Sequence, residues 1–202
     1  MRVITISREF GSGGREIGKK LADKLGFAYY DREIVKEIAK RMELDVSFTE
    51  SISERGLPEF NLHFGNTFGL YYNNDLIDIL VEQQKLLKQL AKKGDCVIVG
   101  RGSDVILKDF KPFRLFVTAE EPFKVAHCRK KNYLGNDLSY KAIAKKLKKI
   151  DSGRRRLHEQ LSGKGWGNAS SYDLCVNTTN CDIDKLVDSI KEIAKNFFEK
   201  QA

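Results

Sequence analysis

Hydrophobic and polar positions change period several times along this chain, and each change marks an element. Residues 3–6 form a short β-branched run that predicts a strand buried on both faces. Residues 16–25 follow as an amphipathic helix, which Gly26 closes from a C′ position. Residues 27–30 predict a second strand, ending at Asp31 and Arg32, and Ile34, Ile38 and Ala39 recur at helical spacing beyond it. This strand, helix, strand, helix opening predicts a parallel sheet with right-handed crossovers.

Between residues 47 and 74 the period fades into Gly56, Pro58, Phe60, Phe64, Phe68, Tyr71 and Tyr72, which reads as a packed irregular flap over a ligand. Asp75 is placed to cap a helix through Leu90, with Leu76, Ile79, Leu80, Gln83, Leu86, Leu87 and Leu90 on one face. Residues 96–99 are the clearest central strand and run into Gly100, Arg101, Gly102, Ser103 and Asp104. Residues 115–118 predict another strand, followed by a helix carrying Val125, Ala126 and Arg129. A basic helix then runs from Ser139 towards Asp151. A last strand near 172–176 precedes a final helix with Ile183, Leu186, Val187, Ile190, Ile193, Ala194 and Phe197 facing the core. Five strands alternating with helices make one α/β domain over residues 1–202. In such sheets ligands gather at the carboxyl ends of the strands. Residues 7–15, Asp31, Arg32, Gly100 and Arg101 are therefore expected to converge.

Composition narrows the classes. The hydrophobic share is 41% and the charged share 32%, ordinary for a folded domain, and no run approaches the ~18 apolar residues of a membrane helix. The chain opens on a strand with no apolar segment behind a basic head, so a cytoplasmic protein is expected. Cys96, Cys128, Cys175 and Cys181 form no CxxC pair and have no His at metal spacing, so they read as packed thiols. A net charge of +8 favours anionic partners. The charge concentrates at residues 124–131 and 141–156. Arg154, Arg155 and Arg156 supply guanidiniums suited to bidentate phosphate contacts.

The stretch Arg8, Glu9, Phe10, Gly11, Ser12, Gly13, Gly14 lies between strand and helix, where glycines let backbone amides crowd an anion at a positive helix end. The lysine and Ser/Thr of GxxxxGK[ST] are absent, and no GxGxxG can be read, which favours a mononucleotide over a dinucleotide.

Five blocks, taken in order, resemble the cytidylate kinases, and more closely the cytidylate kinase-like branch. They are residues 4–18, residues 30–34, residues 97–102, residues 115–119, and residues 163–168 with 172–174, Asn177 and Thr178. The resemblance implies a three-layer P-loop nucleotide kinase fold with a parallel five-stranded sheet, an acceptor-binding segment over about 32–90 and a helical lid over about 127–160. It implies transfer of the ATP γ-phosphoryl group to CMP, dCMP or a related small acceptor, with Mg²⁺. By the same resemblance the backbone of Gly11, Ser12, Gly13 and Gly14 holds the donor phosphates, while the family's lysine and threonine fall on Gly14 and Glu16; Arg15, one residue on, is the candidate for the lost charge and Glu16 the candidate carboxylate for Mg²⁺, two roles read from the residues and not implied by the resemblance. Asp31, Arg32, Arg101 and Asp104 fall on the acceptor side. Arg129 and Arg154 fall in the lid, and with Arg15 and Asp31 they form the set expected to serve the transfer step.

His63, His127 and His158 read as surface or packing residues rather than bases, and Trp166 as a plug or a base-stacking platform. The expected partners are a nucleotide and a small acceptor, with neither nucleic acid nor membrane. The missing lysine and threonine keep open an alternative of another class, a nucleotide sensor with impaired catalysis. A basic nucleic-acid-binding protein is a third reading, without a recognition motif behind it.

Overall fold

The centre of the sheet is β1 (Val3–Arg8), every residue of which is buried. It is one of five parallel strands with β2 (Ala28–Tyr30), β3 (Cys96–Val99), β4 (Phe113–Thr118) and β5 (Leu174–Asn177), in the order β2-β3-β1-β4-β5. The structure, a computed structural model, describes residues 1–55, 68–135 and 137–201. Register places Val3 opposite Cys96 and Ile6 opposite Val99 on one side of β1, and Ile4 opposite Phe113 and Arg8 opposite Val117 on the other. All strands therefore end along one edge.

Alternation along β1 builds two cores, because successive side chains leave opposite faces of a strand. Ile4 and Ile6 join Val97, Val99, Leu115 and Val117 beneath α1 (Gly14–Leu25) and α8 (Ile183–Glu199), through Ile17, Leu21, Val187 and Ile190. Val3, Cys96 and Ile98 face α2 (Glu33–Met42) and α4 (Phe68–Lys92), through Ile34, Ile38, Ile79 and Leu87. Burying each such aliphatic side chain is worth about 1.5–3 kcal/mol, so the three layers are held by the residues whose period announced them. Gly26 closes α1 as expected, its amide returning to the Ala22 and Asp23 carbonyls.

Several expectations need correction. The stretch from residue 47 is helical at its start: α3 (Val46–Arg55) is capped by Asp45, whose Oδ1 accepts from the Ser47 amide at 2.8 Å, and it buries Ile52. The long helix begins at Phe68 rather than at Asp75, because propagating an existing helix adds a hydrogen bond per residue and nothing between them forbids it. The centre of the proposed flap, with Gly56, Pro58, Phe60, His63 and Phe64, lies outside the described residues. β1 runs on to Arg8 because Ser7 and Arg8 pair with Phe116 and Val117 of β4. The remaining helices are the short α5 (Ser103–Ile106), α6 (Glu121–Lys130) and α7 (Tyr140–Ser162). α7 starts at the Ser139 cap and continues through the three arginines. No helix among the described residues is long and apolar enough to cross a membrane.

Candidate active site

The loop of residues 9–13 joins β1 to α1, and its carbonyls are tied back into the protein. The Glu9 carbonyl accepts from Ser12 Oγ at 2.8 Å, the Gly11 carbonyl is 2.8 Å from His127 Nδ1, and the Ser12 carbonyl accepts from Thr178 Oγ1 at 2.8 Å. Ser12 Oγ also reaches the Val117 carbonyl at 3.1 Å, which commits that hydroxyl to structure. The first α1 ladder bond runs from the Ile17 amide to the Gly13 carbonyl, and no side chain caps the helix. With carbonyls held behind, the amides of the first turn are the groups left to meet an anion. Gly11 sits at φ +85°, and a Cβ there would stand 2.9 Å from the Lys124 carbonyl oxygen and from Cys128 Sγ, so α6 presses on the loop from outside. Glu9 braces the same junction, its Oε2 accepting from Thr118 Oγ1 at 2.7 Å and Lys124 Nζ at 2.8 Å. Burial would raise its pKa, but these donors outweigh it and hold the carboxyl below its usual range.

Three arginines border a cavity that adjoins the loop. Arg8, Arg101 and Arg154 are 5%, 2% and 7% exposed. Arg154 donates from Nη1 to the Arg8 carbonyl at 3.1 Å, lies 3.4 Å from Asp151 Oδ1 and sits over the Phe10 ring. Asp151 in turn accepts from the Phe10 amide at 2.7 Å, and burial pushes its carboxyl up to about 6 despite Arg154 and that amide. The Arg8 guanidinium lies against Gly100, where a Cβ would come within 1.7 Å of Nη1.

Arg101 itself has φ +64°, between two glycines of positive φ. A non-glycine residue in that region costs about 1–2 kcal/mol and persists only where its surroundings over-determine it. Here the buried Gln83 of α4 donates from Nε2 to the Arg101 carbonyl at 3.0 Å, and the Gly100 amide donates to the Ile6 carbonyl at 2.9 Å. Replacing Gln83 by leucine removes the buried donor, and a stability loss of about 2 kcal/mol is expected in urea denaturation. A loss below about 0.5 kcal/mol would show that Gln83 does not hold the turn.

Two adjoining cavities share Arg8 and Arg154. One is bounded by Gly11, Gly13, Gly14, Arg15 and His127. The other is bounded by Arg101, Asp104, Leu157, His158 and Trp166. Asp104 is buried and paired through Oδ2 with His158 Nε2 at 3.0 Å.

The sequence-derived set is therefore divided. Gly11, Gly13, Gly14 and Arg15 border the first cavity and Arg101, Asp104 and Arg154 the second, while Ser12 is fully buried behind the loop. Asp31 and the exposed Arg32 line a separate groove with Arg15, Glu16, Lys19 and Lys131. Asp31 is 4% exposed and takes Arg15 Nε at 2.5 Å; its Oδ1 has no hydrogen-bond partner among the described residues. Arg129 points away from both cavities: it is exposed on α6 and reaches the Leu138 carbonyl at 3.4 Å. The residue that α6 turns inward is His127. Glu16 faces Lys131 at 3.0 Å and Lys20 at 3.3 Å, and these ammonium groups outweigh burial in keeping its pKa low. Both of its oxygens thus answer cations of the protein. Among the described residues no group of three or more His, Cys, Asp or Glu is arranged to hold a metal. Trp166 packs edge-on to Phe116 while bounding the second cavity.

Arg8, Gln83 and His158 were not singled out from sequence as site residues. Arg8 had a signal, a cation at the last position of the strand that enters the glycine loop. Gln83 had a weaker one, a polar residue on an otherwise apolar helix face.

Solved structures share this architecture. A crystal structure of an uncharacterized protein from Eubacterium ventriosum matches with 24% identity and a TM-score of 0.71, covering 96% of this chain and 99% of the other. Shikimate kinase from Bacteroides thetaiotaomicron matches at 13% identity and TM-score 0.57, covering 96% and 98%. Shikimate kinase from Acinetobacter baumannii, in complex with shikimate, matches at 14% and 0.54, covering 97% and 94%. These likenesses show a shared α/β kinase fold. No curated protein matches the chain. The cytidylate kinase-like family model matches residues 3–180, the stretch that carries the loop, the three guanidiniums and all five strands, and the chain belongs to that family.

Proposed function

We propose that this chain is a phosphotransferase that moves the γ-phosphoryl group of ATP to CMP, dCMP or a related small anionic acceptor. One observation carries the reading: two cavities, one floored by helix-terminal amides and one lined by Arg101 and Asp104, meet across the shared guanidiniums of Arg8 and Arg154. Donor phosphates bind the amides of Gly11, Ser12, Gly13 and Gly14. The acceptor's anionic group binds Arg101. An acceptor oxygen attacks the γ-phosphorus in line, the bond to the bridging oxygen breaks, and ADP leaves. Catalysis of this kind is mostly positioning and neutralisation of charge on the transferred group. Arg8 and Arg154 stand where that charge crosses. Arg15 and Asp31 act as a pair beside the donor cavity, while Arg129 keeps only a role in the lid's outer surface. The segment 32–90 contributes Gln83 behind Arg101, and the region 127–160 contributes the α7 face that covers the site and excludes water.

Mg²⁺ supplies charge neutralisation on the phosphates when bound. The residues present fit a cation carried in on the nucleotide rather than one held by Glu16, whose oxygens face Lys20 and Lys131. The test is a coupled ADP-release assay across nucleoside monophosphates and small phosphorylatable acids. Turnover with none of them, under conditions where ATP binds, would overturn the reading. The nucleotide-sensor alternative has one observation in its favour: Arg15, in the region of the missing lysine, is engaged with Asp31. Calorimetric ATP binding without turnover would select it.

A further inference from the structure

The spacing GxxxxGK, counted back from the place its lysine would hold at Gly14, puts the motif's first glycine at Arg8. Cation and glycine have changed places: Arg8 stands where the motif has glycine, and Gly14 where it has lysine. Packing explains the exchange. Gly14 opens α1 without a left-handed φ, so its backbone would accept a side chain and only space forbids one. A Cβ there would stand 2.7 Å from Arg8 Cβ and 3.1 Å from Arg8 Cγ. Backbone fixes both Cβ atoms, so no rotamer relieves the clash. At its far end the Arg8 guanidinium lies against Gly100, where a Cβ would fall on it. Gly14 borders the first cavity and Gly100 the second, and the Arg8 side chain runs from one to the other.

We propose that Arg8 replaces the absent lysine: its guanidinium is the cation that meets the terminal phosphate of the donor nucleotide, delivered by the last residue of β1 instead of the first turn of α1. Its part in turnover rests on the phosphotransferase reading; its contact with the phosphate rests only on ATP binding at the loop. Arg15, the other cation at that turn, is engaged elsewhere, its Nε paired with Asp31 in the separate groove. Arg8 is 5% exposed and its carbonyl accepts from Arg154 Nη1 at 3.1 Å, so the residue is held at its root and packed along its stem. A guanidinium presents parallel N–H donors to two phosphate oxygens, where an ammonium presents a point charge. Arg8 contributes charge and hydrogen bonds to the group that moves, and no proton.

Calorimetric titration with ATP and with ADP, both with Mg²⁺, reads the contact without turnover. Arg8→Met keeps the stem and removes the charge: ATP binding is expected to weaken about thirtyfold and ADP binding by less than about threefold, whereas a purely structural arginine would weaken both alike or neither. The reciprocal exchange is the sharper test. Arg8→Gly alone is expected to lose the preference for ATP, and Gly14→Lys alone to destabilise the fold through the clash with Arg8. Combined, they leave only Val117 Cβ, at 3.3 Å, crowding the new side chain, and about tenfold or more of the lost ATP affinity is expected to return. In the assay with the best acceptor, kcat falls about a thousandfold in Arg8→Met and rises again in the exchange variant. Equal losses for ATP and ADP, an ATP loss below about threefold, or an exchange variant no tighter for ATP than Arg8→Gly overturns the assignment. If Arg8→Met does not fold, the exchange variant measured against Arg8→Gly decides. The ATP-specific loss in a chain that transfers to no acceptor keeps Arg8 in its role and removes the phosphotransferase reading; a wild-type chain that binds no ATP removes both.

Discussion

Arg154→Leu is expected to lower phosphoryl transfer about a thousandfold, the lower end of what a guanidinium at the transferred group contributes, with a smaller effect on ATP binding because the loop amides remain. The reason is placement: Arg154 is buried, borders both cavities and is fixed by the Arg8 carbonyl, and Arg8, the other cation shared by the two cavities, supplies only part of the charge needed there. Steady-state kinetics with ATP and the best acceptor read the effect, and a loss of less than tenfold would remove Arg154 from the transfer step. The same variant leaves Asp151 buried without its nearest cation. Asp151 already titrates at about 6, above its ordinary 3.8, so its protonated form is the one the fold favours. That stabilisation is full below 3.8 and is lost as pH rises through the native value. Arg154→Leu raises the native value further, so its stability deficit is largest above neutrality and shrinks as the pH is lowered. Adding Asp151→Asn should flatten this dependence, and a double-mutant cycle measures the coupling.

Gly11→Ala is expected to destabilise the protein by about 3 kcal/mol, the sum of a left-handed φ for a side chain and overpacking against α6. At φ +85° the new methyl would stand 2.9 Å from the Lys124 carbonyl oxygen and from Cys128 Sγ. For a chain of this length a loss of that size lowers Tm by roughly 6–12 °C. Cys128→Ala in combination should restore only the thiol's share, since the carbonyl is backbone and has nowhere to retreat. A Tm change under about 2 °C would mean that α6 does not press on the loop.

Both predictions involve features that were unequally visible in the amino-acid order. The glycine loop was legible because Gly11, Gly13 and Gly14 lie together between a β-branched run and an amphipathic helix. That arrangement is local. Arg154 was legible as part of a basic run, but so was Arg129, which the fold turns outward. The difference is which face of its helix each occupies once α6 has been pressed against Gly11 and α7 laid across Phe10. Asp31 and Arg101 were expected to share one ligand, yet β2 and the turn after β3 deliver them to different cavities, with Arg15 on the Asp31 side. α3 was missed because its cap, Asp45, precedes a segment whose apolar spacing is too weak to announce a helix; tertiary burial of Ile52 holds it.

Periodicity by itself determined the five strands, the order of elements and the phosphate-type loop, since each is dictated by residues two to four positions apart. Only the tertiary structure decided the strand order, the junction of Arg8, Arg101 and Arg154, the buried bridge of His158 to Asp104 and the division of the acidic residues between cavities. The His158–Asp104 and Arg154–Arg8 pairs, for example, join residues 54 and 146 positions apart. Their geometry depends on register and helix packing, which no local pattern carries.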